Sequence, residues 1–276
     1  MIGASALGPY LAVVSVRYRM LLQYRAAAFA GMVTQVFWGA LKLMVLAAFY
    51  AGVSQPAPMR FSDVVAYVWL GQALFALLPW NVDDELALQL RSGNVAVELL
   101  RPLDLYAYWF ARTLAFRTAR TSLRAVPMVA LASVVLPLLG LERWALAPPG
   151  LASGALFTLS LLLTVLLSTA ITMLTQVSLL YTISSEGVLR TMPSLVALLS
   201  GMIVPLPLFP EWLQPALALQ PFRGVVDVPF RIYSGHIAPL AALGEIAQQL
   251  AWFGALCWLG RALLERALRR VVIQGG

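Results

Sequence analysis

Six long apolar runs constrain this sequence more than any other feature. A membrane-spanning helix needs about 20 consecutive apolar residues. Hydrophobic residues make up 61% of the chain and charged residues only 11%, whereas soluble domains carry roughly 25% charged residues. The runs occupy residues 26–50, 61–80, 122–141, 151–174, 188–208 and 237–264. The sequence therefore predicts an all-α membrane protein, with six transmembrane helices in a single domain over residues 1–276.

The rare residue types exclude several kinds of chemistry. One cysteine, Cys257, cannot form an internal disulfide, and one histidine, His236, leaves no plausible zinc or haem site. A phosphate-binding loop needs a lysine beside a glycine-rich turn, whereas the sole lysine, Lys42, lies inside an apolar run. We therefore expect this chain to hold no metal or cofactor of its own and to have no ATPase site.

The arginines predict how the chain crosses the membrane, because basic residues concentrate on the cytoplasmic side. With both termini in the cytoplasm, fourteen arginines fall in cytoplasmic segments and four in outer ones, and Lys42 completes the 19 basic residues. The outer arginines are Arg60, Arg143, Arg223 and Arg231. This distribution predicts a cytoplasmic N-terminus, and it accounts for the net charge of +7 without nucleic-acid binding.

Residues 1–25 form a short amphipathic segment before the first span. Its apolar run at 10–16 is stopped by Arg17 and Arg19. This pattern favours an interfacial helix in which Arg17 and Arg25 reach lipid phosphates. The alternative is that the segment forms the front of the first span.

Segment 81–104 is the longest polar interruption, and it carries start and stop signals for a cytoplasmic helix of about three turns. Leu86 and Leu90 give this helix a narrow apolar stripe, which suits docking, although a solvated capped helix is the alternative. The helix signals are Asn81 as cap, Asp83, Asp84 and Glu85 in the first turn, Arg91 in the last turn and Gly93 after it.

The second half of segment 81–104 leads into the third span. Glu98 is the one charge in its next apolar piece, and Arg101-Pro102 ends that piece because proline disfavours helix at the preceding residue. Asp104 then caps an amphipathic helix that starts in the cytosol and enters the lipid as one long element, with Pro127 as a possible kink.

Segment 205–235 is too irregular for a span and too apolar for a solvated loop. Its six prolines predict two short helices, broken at Pro210, Pro215 and Pro221, that dip into the outer half of the bilayer. A loop lying flat on the membrane surface is the alternative. The re-entrant arrangement keeps three aromatic residues in apolar surroundings, and these are Phe209, Trp212 and Phe222.

A few polar positions interrupt the spans. Glu245, Gln248 and Gln249 form one polar face on the last span, and we expect this face to contact the protein interior. Most small or polar positions of spans one, two and five are predicted to serve packing, although they are also the candidates to line a translocation path. The path candidates are Thr34, Gln35, Gln72 and Ser200.

Three stretches of the chain resemble the permease subunits of type 2 ABC transporters, in which permease and ATPase are separate chains. They are RSGNVAVELLRPLDLYAYWFAR at 91–112, LPLFPEWLQPALALQPFRGVVDVPFRIYSG at 206–235 and LLERALRRVVIQGG at 263–276. The spacing from Gly93 to Pro102 and the Gln-Gly-Gly string at 274–276 are the most specific parts of the resemblance.

The resemblance implies a multi-pass permease of the bacterial cytoplasmic (inner) membrane, paired with a second permease that is identical or paralogous. It implies two ABC ATPase subunits beneath the pair, and those subunits would bind ATP and Mg. It makes segment 81–104 the coupling segment and segment 205–235 the outer gate, with Phe209, Trp212 and Phe222. The residues expected to couple to the ATPase are Asp83, Asp84, Glu85, Arg91, Gly93, Glu98 and Arg101.

These expectations describe the membrane-spanning subunit of an ATP-driven exporter. Spans nearly empty of charge and an apolar outer hairpin suit an amphipathic or lipid-like substrate, because an ion or a sugar needs a wetter path. The alternative is a secondary transporter or channel, which would usually show inverted repeats or paired intramembrane carboxylates. Here the spans hold only Glu245 near an outer end and Asp63 at an entrance.

Overall fold

The computed structural model describes residues 7–23, 25–52, 57–91, 98, 100–181 and 186–269. This described part of the chain is helical and contains no strand. Its α-helices are α1 (Gly8–Leu21), α2 (Arg25–Gly52), α3 (Phe61–Ala73), α4 (Asp84–Arg91), α5 (Leu105–Ala130), α6 (Leu151–Ser178), α7 (Glu186–Leu199), α8 (Gln214–Leu219), α9 (Asp227–Tyr233) and α10 (Pro239–Leu268).

Four helical stretches are long and apolar enough to cross a bilayer. They are Phe29–Gly52, Leu105–Leu138, Leu151–Ser178 and Pro239–Leu268. The other two predicted spans correspond to shorter helices, α3 and α7. All residues of α3 from Asp63 to Ala73 are buried, so this helix is surrounded by the rest of the chain. The prediction of an all-α membrane protein is confirmed.

The helical stretch that follows Asp104, Leu105–Leu138, is the longest in the described structure at 34 residues. Asp104 caps it as predicted, because its Oδ1 accepts a hydrogen bond from the Ala107 amide at 2.8 Å. The helix runs past Pro127 and then changes to a π-helical turn at Leu131–Val135. A π turn shifts the backbone hydrogen-bond pattern, and here the Ala132 carbonyl accepts from the Leu146 amide at 2.9 Å. The irregularity thus ties the outer loop onto the helix.

Helix α1 lies along the first half of α5. The Tyr10 hydroxyl accepts a hydrogen bond from the Asp104 amide at 3.1 Å, and the Tyr18 and Ser122 hydroxyls are bonded at 2.8 Å. No residue of α1 is buried, and α1 and α2 are separate helices. The segment is therefore a helix distinct from α2, and its interfacial position stays a prediction.

A polar ladder joins α6 to α10 in the outer half of the bundle. Gln249 on α10 accepts a hydrogen bond from Ser160 Oγ at 2.9 Å and donates one to the Gly224 carbonyl at 2.7 Å. Thr164 donates to the same carbonyl at 3.0 Å. The prediction that Gln249 contacts the protein interior is confirmed.

Segment 205–235 contains two short 3₁₀ turns, then α8, a third 3₁₀ turn and α9. Pro210 precedes one such turn and Pro221 begins another, as the predicted breaks require. The predicted break at Pro215 is wrong, because Pro215 lies in the first turn of α8. Proline is tolerated there, since the first amides of a helix have no intrahelical partner.

Candidate coupling site and membrane path

A compact cluster of charged side chains joins α1, α4 and α5. Arg112 of α5 is the centre of this cluster and is only 3% exposed. Its guanidinium lies 3.2 Å from Glu98 Oε1, 3.3 Å from Asp83 Oδ2 and 3.3 Å from Glu85 Oε2. Arg17 of α1 supplies a second cation, 2.8 Å from Asp83 and 2.5 Å from Glu85. We call these five residues the charge clamp.

Asp83 performs two roles in the charge clamp. Its Oδ1 accepts a hydrogen bond from the Glu85 amide at 3.1 Å, so Asp83 caps α4, while Oδ2 faces Arg17 and Arg112. The prediction of Asn81 as the cap is therefore wrong. The Asn81 side-chain oxygen instead accepts from Arg117 at 2.8 Å, and α4 begins three residues later.

Glu98 is the second buried acid of the clamp. It accepts a hydrogen bond from the Trp109 indole at 2.5 Å in addition to that from Arg112. Both partners lie on α5, so the chain after α4 is fastened to the same helix as the chain before it. A buried carboxylate with two such donors keeps its charge compensated.

Arg117 forms a second fastening, one and a half turns further along α5. Its guanidinium is buried and donates to the Leu78 carbonyl at 2.7 Å, to the Asn81 carbonyl, and to Thr172 of α6 at 2.8 Å. It also donates to the Ala76 carbonyl at 3.3 Å. These carbonyls follow the end of α3, where helix hydrogen bonding stops. Arg117 thus joins α3, α5 and α6 at one point.

Helix α4 exposes a different face from the one that the sequence predicted. Leu86 is fully buried against its own chain, in a cluster that includes Tyr106 and Trp109. The exposed positions are Asp84, Glu85 and Leu88, and Leu88 is 66% exposed. Leu86 of the predicted apolar stripe therefore fastens α4 to the rest of the chain, the Leu90 side chain lies outside the described residues, and Leu88 is available to a partner.

The remaining coupling candidates lie near the clamp or outside the described residues. Arg101 is exposed, donates to the Tyr108 hydroxyl at 3.0 Å and lies over its ring at 5.0 Å. Gly93 lies outside the described residues, as do the side chains of Arg25 and Arg91.

The four path candidates differ in exposure. Thr34 is exposed and donates to the Ala30 carbonyl at 3.3 Å, as a residue on an outer helix face does. Gln35, Gln72 and Ser200 are buried. The Gln72 side-chain oxygen is buried and has no hydrogen-bond partner among the described residues.

Lys42 points from α2 to the segment that follows α7. Its ammonium donates to the Met202 carbonyl at 3.0 Å. Next to Met202, Gly201 adopts a φ of +87°, and a Cβ there would lie 2.3 Å from the Tyr67 hydroxyl. Lys42 therefore faces the protein interior and fastens the entrance of segment 205–235.

The three predicted gate aromatics have different surroundings. Trp212 is 79% exposed, whereas Phe209 is half-buried and Phe222 packs against the core. Beside Phe222, Arg223 binds Glu245 at 2.8 Å and Gln248 at 3.3 Å. Arg223 is thus the basic partner of the α10 polar face, and sequence reasoning had assigned it only to an outer loop.

Comparison with known proteins gives one match. The model of a family described as ABC-2 family transporter protein matches residues 36–275. A search of curated proteins and a search of solved structures found no match. The matched residues include α3 to α10. They therefore contain the three acids of the charge clamp and the whole of segment 205–235.

Proposed function

Because this chain belongs to the ABC-2 transporter family, we propose that it is the permease of an ATP-driven exporter and that α4 is its coupling helix. Family membership implies a multi-pass membrane subunit that works with a separate ABC ATPase. The observation that carries the coupling assignment is the charge clamp, which fastens both ends of segment 81–104 to α5. A helix held in this way can transmit movement that a flexible loop would absorb.

The proposed movement passes from α4 to the membrane helices through two arginines. Arg112 connects the chain on both sides of α4 to α5, and Arg117 connects α5 to the end of α3 and to α6. Buried charged hydrogen bonds are costly to break, so these contacts favour rigid-body motion. ATP binding beneath α4 would therefore tilt α3, α5 and α6 together.

We propose six membrane crossings, with α3 and α7 as the two short ones. The buried position of α3 supports this proposal, because a helix enclosed by protein can be shorter than one that faces lipid. The arginine distribution supports cytoplasmic termini in a bacterial inner membrane. A second permease, identical or paralogous, and two ATPase subunits that bind ATP and Mg complete the proposed assembly.

The proposed substrate is amphipathic or lipid-like. An apolar cavity of about 450 Å³ supports this class, and its walls come from α3, α5, α6 and α9. Apolar pockets of this size bind apolar groups when few polar groups line them. The lining includes Leu70, Leu74, Val129, Phe157 and Leu161. The candidate path residues Thr34, Gln35, Gln72 and Ser200, and the gate residues Phe209, Trp212 and Phe222, remain proposals.

The coupling proposal is tested on the exposed face of α4. We expect Leu88→Arg and Asp84→Lys each to weaken copurification of the ATPase and to lower ATP-driven transport, because both residues face outward. Glu142→Lys is the matched control, since it reverses an exposed acid in the loop between α5 and α6. Unchanged copurification, ATPase rate and transport in both α4 variants would contradict the proposal.

The substrate class needs a separate test. We expect ATPase activity of the reconstituted complex to rise with lipids or hydrophobic drugs and to be insensitive to polar solutes. Transport assays on the stimulating compounds would then identify the cargo. Stimulation by polar solutes alone would contradict the lipid-like assignment and leave the coupling proposal intact.

A further inference from the structure

An apolar groove lies between α1, α5 and α10, away from the charge clamp and the cavity described above. Its volume is about 350 Å³, within the range of small-ligand sites. The walls are contributed by Leu11 and Val14 of α1, Phe110 and Leu114 of α5, and Phe253 of α10. Such a groove beside an interfacial helix meets the bilayer where acyl chains begin.

Two donors lie at one end of the groove. Arg261 follows Phe253 and Cys257 at four-residue steps, so the three side chains share one face of α10 over about 12 Å. The Arg261 side chain is half exposed, and its Nη2 donates to Asp104 at 2.5 Å, its one hydrogen bond in the part of the chain that the structure describes. Tyr10 accepts from the Asp104 amide, so its own hydroxyl hydrogen is available to an acceptor.

Asp104 adds a negative charge to this end of the groove, but its Oδ1 is already occupied. It accepts from the Ala107 amide and from Arg261, and it stands at the N-terminus of α5. The helix terminus carries partial positive charge that offsets the carboxylate. Among the described residues the Arg261 guanidinium hydrogen-bonds Asp104 alone, so N–H groups beside the helix N-terminus are available to an anion.

A tyrosine ring also lies along the groove wall. The Tyr106 ring lines the groove together with Cys257, and the Arg261 guanidinium lies 5.8 Å from the centre of that ring. The Tyr106 hydroxyl is buried against Cys257 and Gly260 of α10 and does not face the groove. The ring therefore contributes wall to the groove, and the polar contacts at its end come from Arg261 and Tyr10.

We propose that the groove is a phospholipid site. One acyl chain fills the apolar groove, and the phosphate binds Arg261 and the Tyr10 hydroxyl. The lipid comes from the leaflet on the α4 side of the membrane. It joins α1 to α5 and α10, and it thereby stabilises the helix that carries Arg17 of the charge clamp. This site rests on the membrane placement of the chain and does not depend on the coupling role of α4.

The test measures lipid binding to the purified full chain by native mass spectrometry after delipidation. Dioleoyl phosphatidylglycerol is the probe, and dioleoylglycerol, which lacks the phosphate, is its matched comparison. We expect Arg261→Gln to weaken phosphatidylglycerol binding about tenfold, because it removes a charge-assisted contact. Arg266→Gln, an exposed arginine on another face of α10, should leave binding unchanged.

A second pair of variants fills the groove with bulk. Ala107→Trp and Leu11→Trp should each abolish saturable binding, and Leu11 is exposed, so its substitution leaves the fold intact. Equal binding of the two lipids, or equal losses in Arg261→Gln and Arg266→Gln, would overturn the phosphate contact. Unchanged binding in Leu11→Trp, or a second protein chain instead of lipid, would overturn the site.

Discussion

Removing Arg112 should loosen α4 from the membrane helices. Arg112→Met keeps an unbranched side chain but removes every donor, and among the described contacts Glu98 then retains its bond from Trp109 alone. Asp83 retains Arg17. Truncating one partner of a buried charge pair costs about 3–5 kcal/mol, because an uncompensated charge stays buried. We expect a loss of unfolding free energy of this size, or local release of α4 when that costs less.

A double-mutant cycle isolates the contact that matters. Glu98→Gln removes the charge but keeps an oxygen that accepts from Trp109, so it should cost less than Arg112→Met. In the double variant Glu98 no longer leaves an uncompensated charge. We therefore expect the double variant to lose about 1–3 kcal/mol less unfolding free energy than the sum of the two single variants. Equilibrium unfolding in mixed micelles measures these values, and hydrogen exchange of α4 reports its local release.

Arg120→Met is the matched control for Arg112→Met. Arg120 lies on the same helix but is exposed, and it lies over the Phe116 ring at 3.9 Å. Loss of an exposed cation–π contact costs roughly 0.5–1 kcal/mol. A coupling free energy under about 0.5 kcal/mol, or equal losses for the two arginine variants, would refute the view that the charge clamp holds α4.

Three further predictions follow from the same structure. Gly201→Ala should lower the unfolding free energy by about 1–3 kcal/mol, because φ is +87° and the added Cβ meets Tyr67. The control Gly244→Ala in α10 adds a Cβ that meets no atom within 4 Å, so it should be neutral or stabilising. Thermal unfolding of both variants measures the difference. Arg223→Gln should loosen segment 205–235 from α10, because it removes the ion pair with Glu245, and the rate of proteolysis within the segment should rise. An unchanged cleavage rate would contradict this prediction. The purified chain alone should show no ATP turnover, and robust turnover free of contaminating ATPase would contradict the assignment of energy supply to a partner.

The sequence by itself determined the class of fold and several local features. Apolar runs of sufficient length have no other stable environment than a bilayer, so the long helices followed from hydrophobicity alone. The cap at Asp104 also followed from local signals, because a capping side chain bonds an amide only a few residues away. The helical, proline-interrupted character of segment 205–235 was predictable for the same reason, apart from the position of one break.

Only the tertiary structure decided which side chains meet. Arg17 and Asp83 are 66 residues apart, and Arg112 and Asp83 are 29 apart. Charge patterns in a sequence identify acids that are exposed or that cap a helix. They do not determine which of several arginines forms an ion pair with each acid. The face of α4 that turns inward was equally undetermined, because both Leu86 and Leu88 are apolar and only packing buries the first and exposes the second. Long-range partners depend on how helices cross, and the periodicity of one helix carries no information about the helix packed against it.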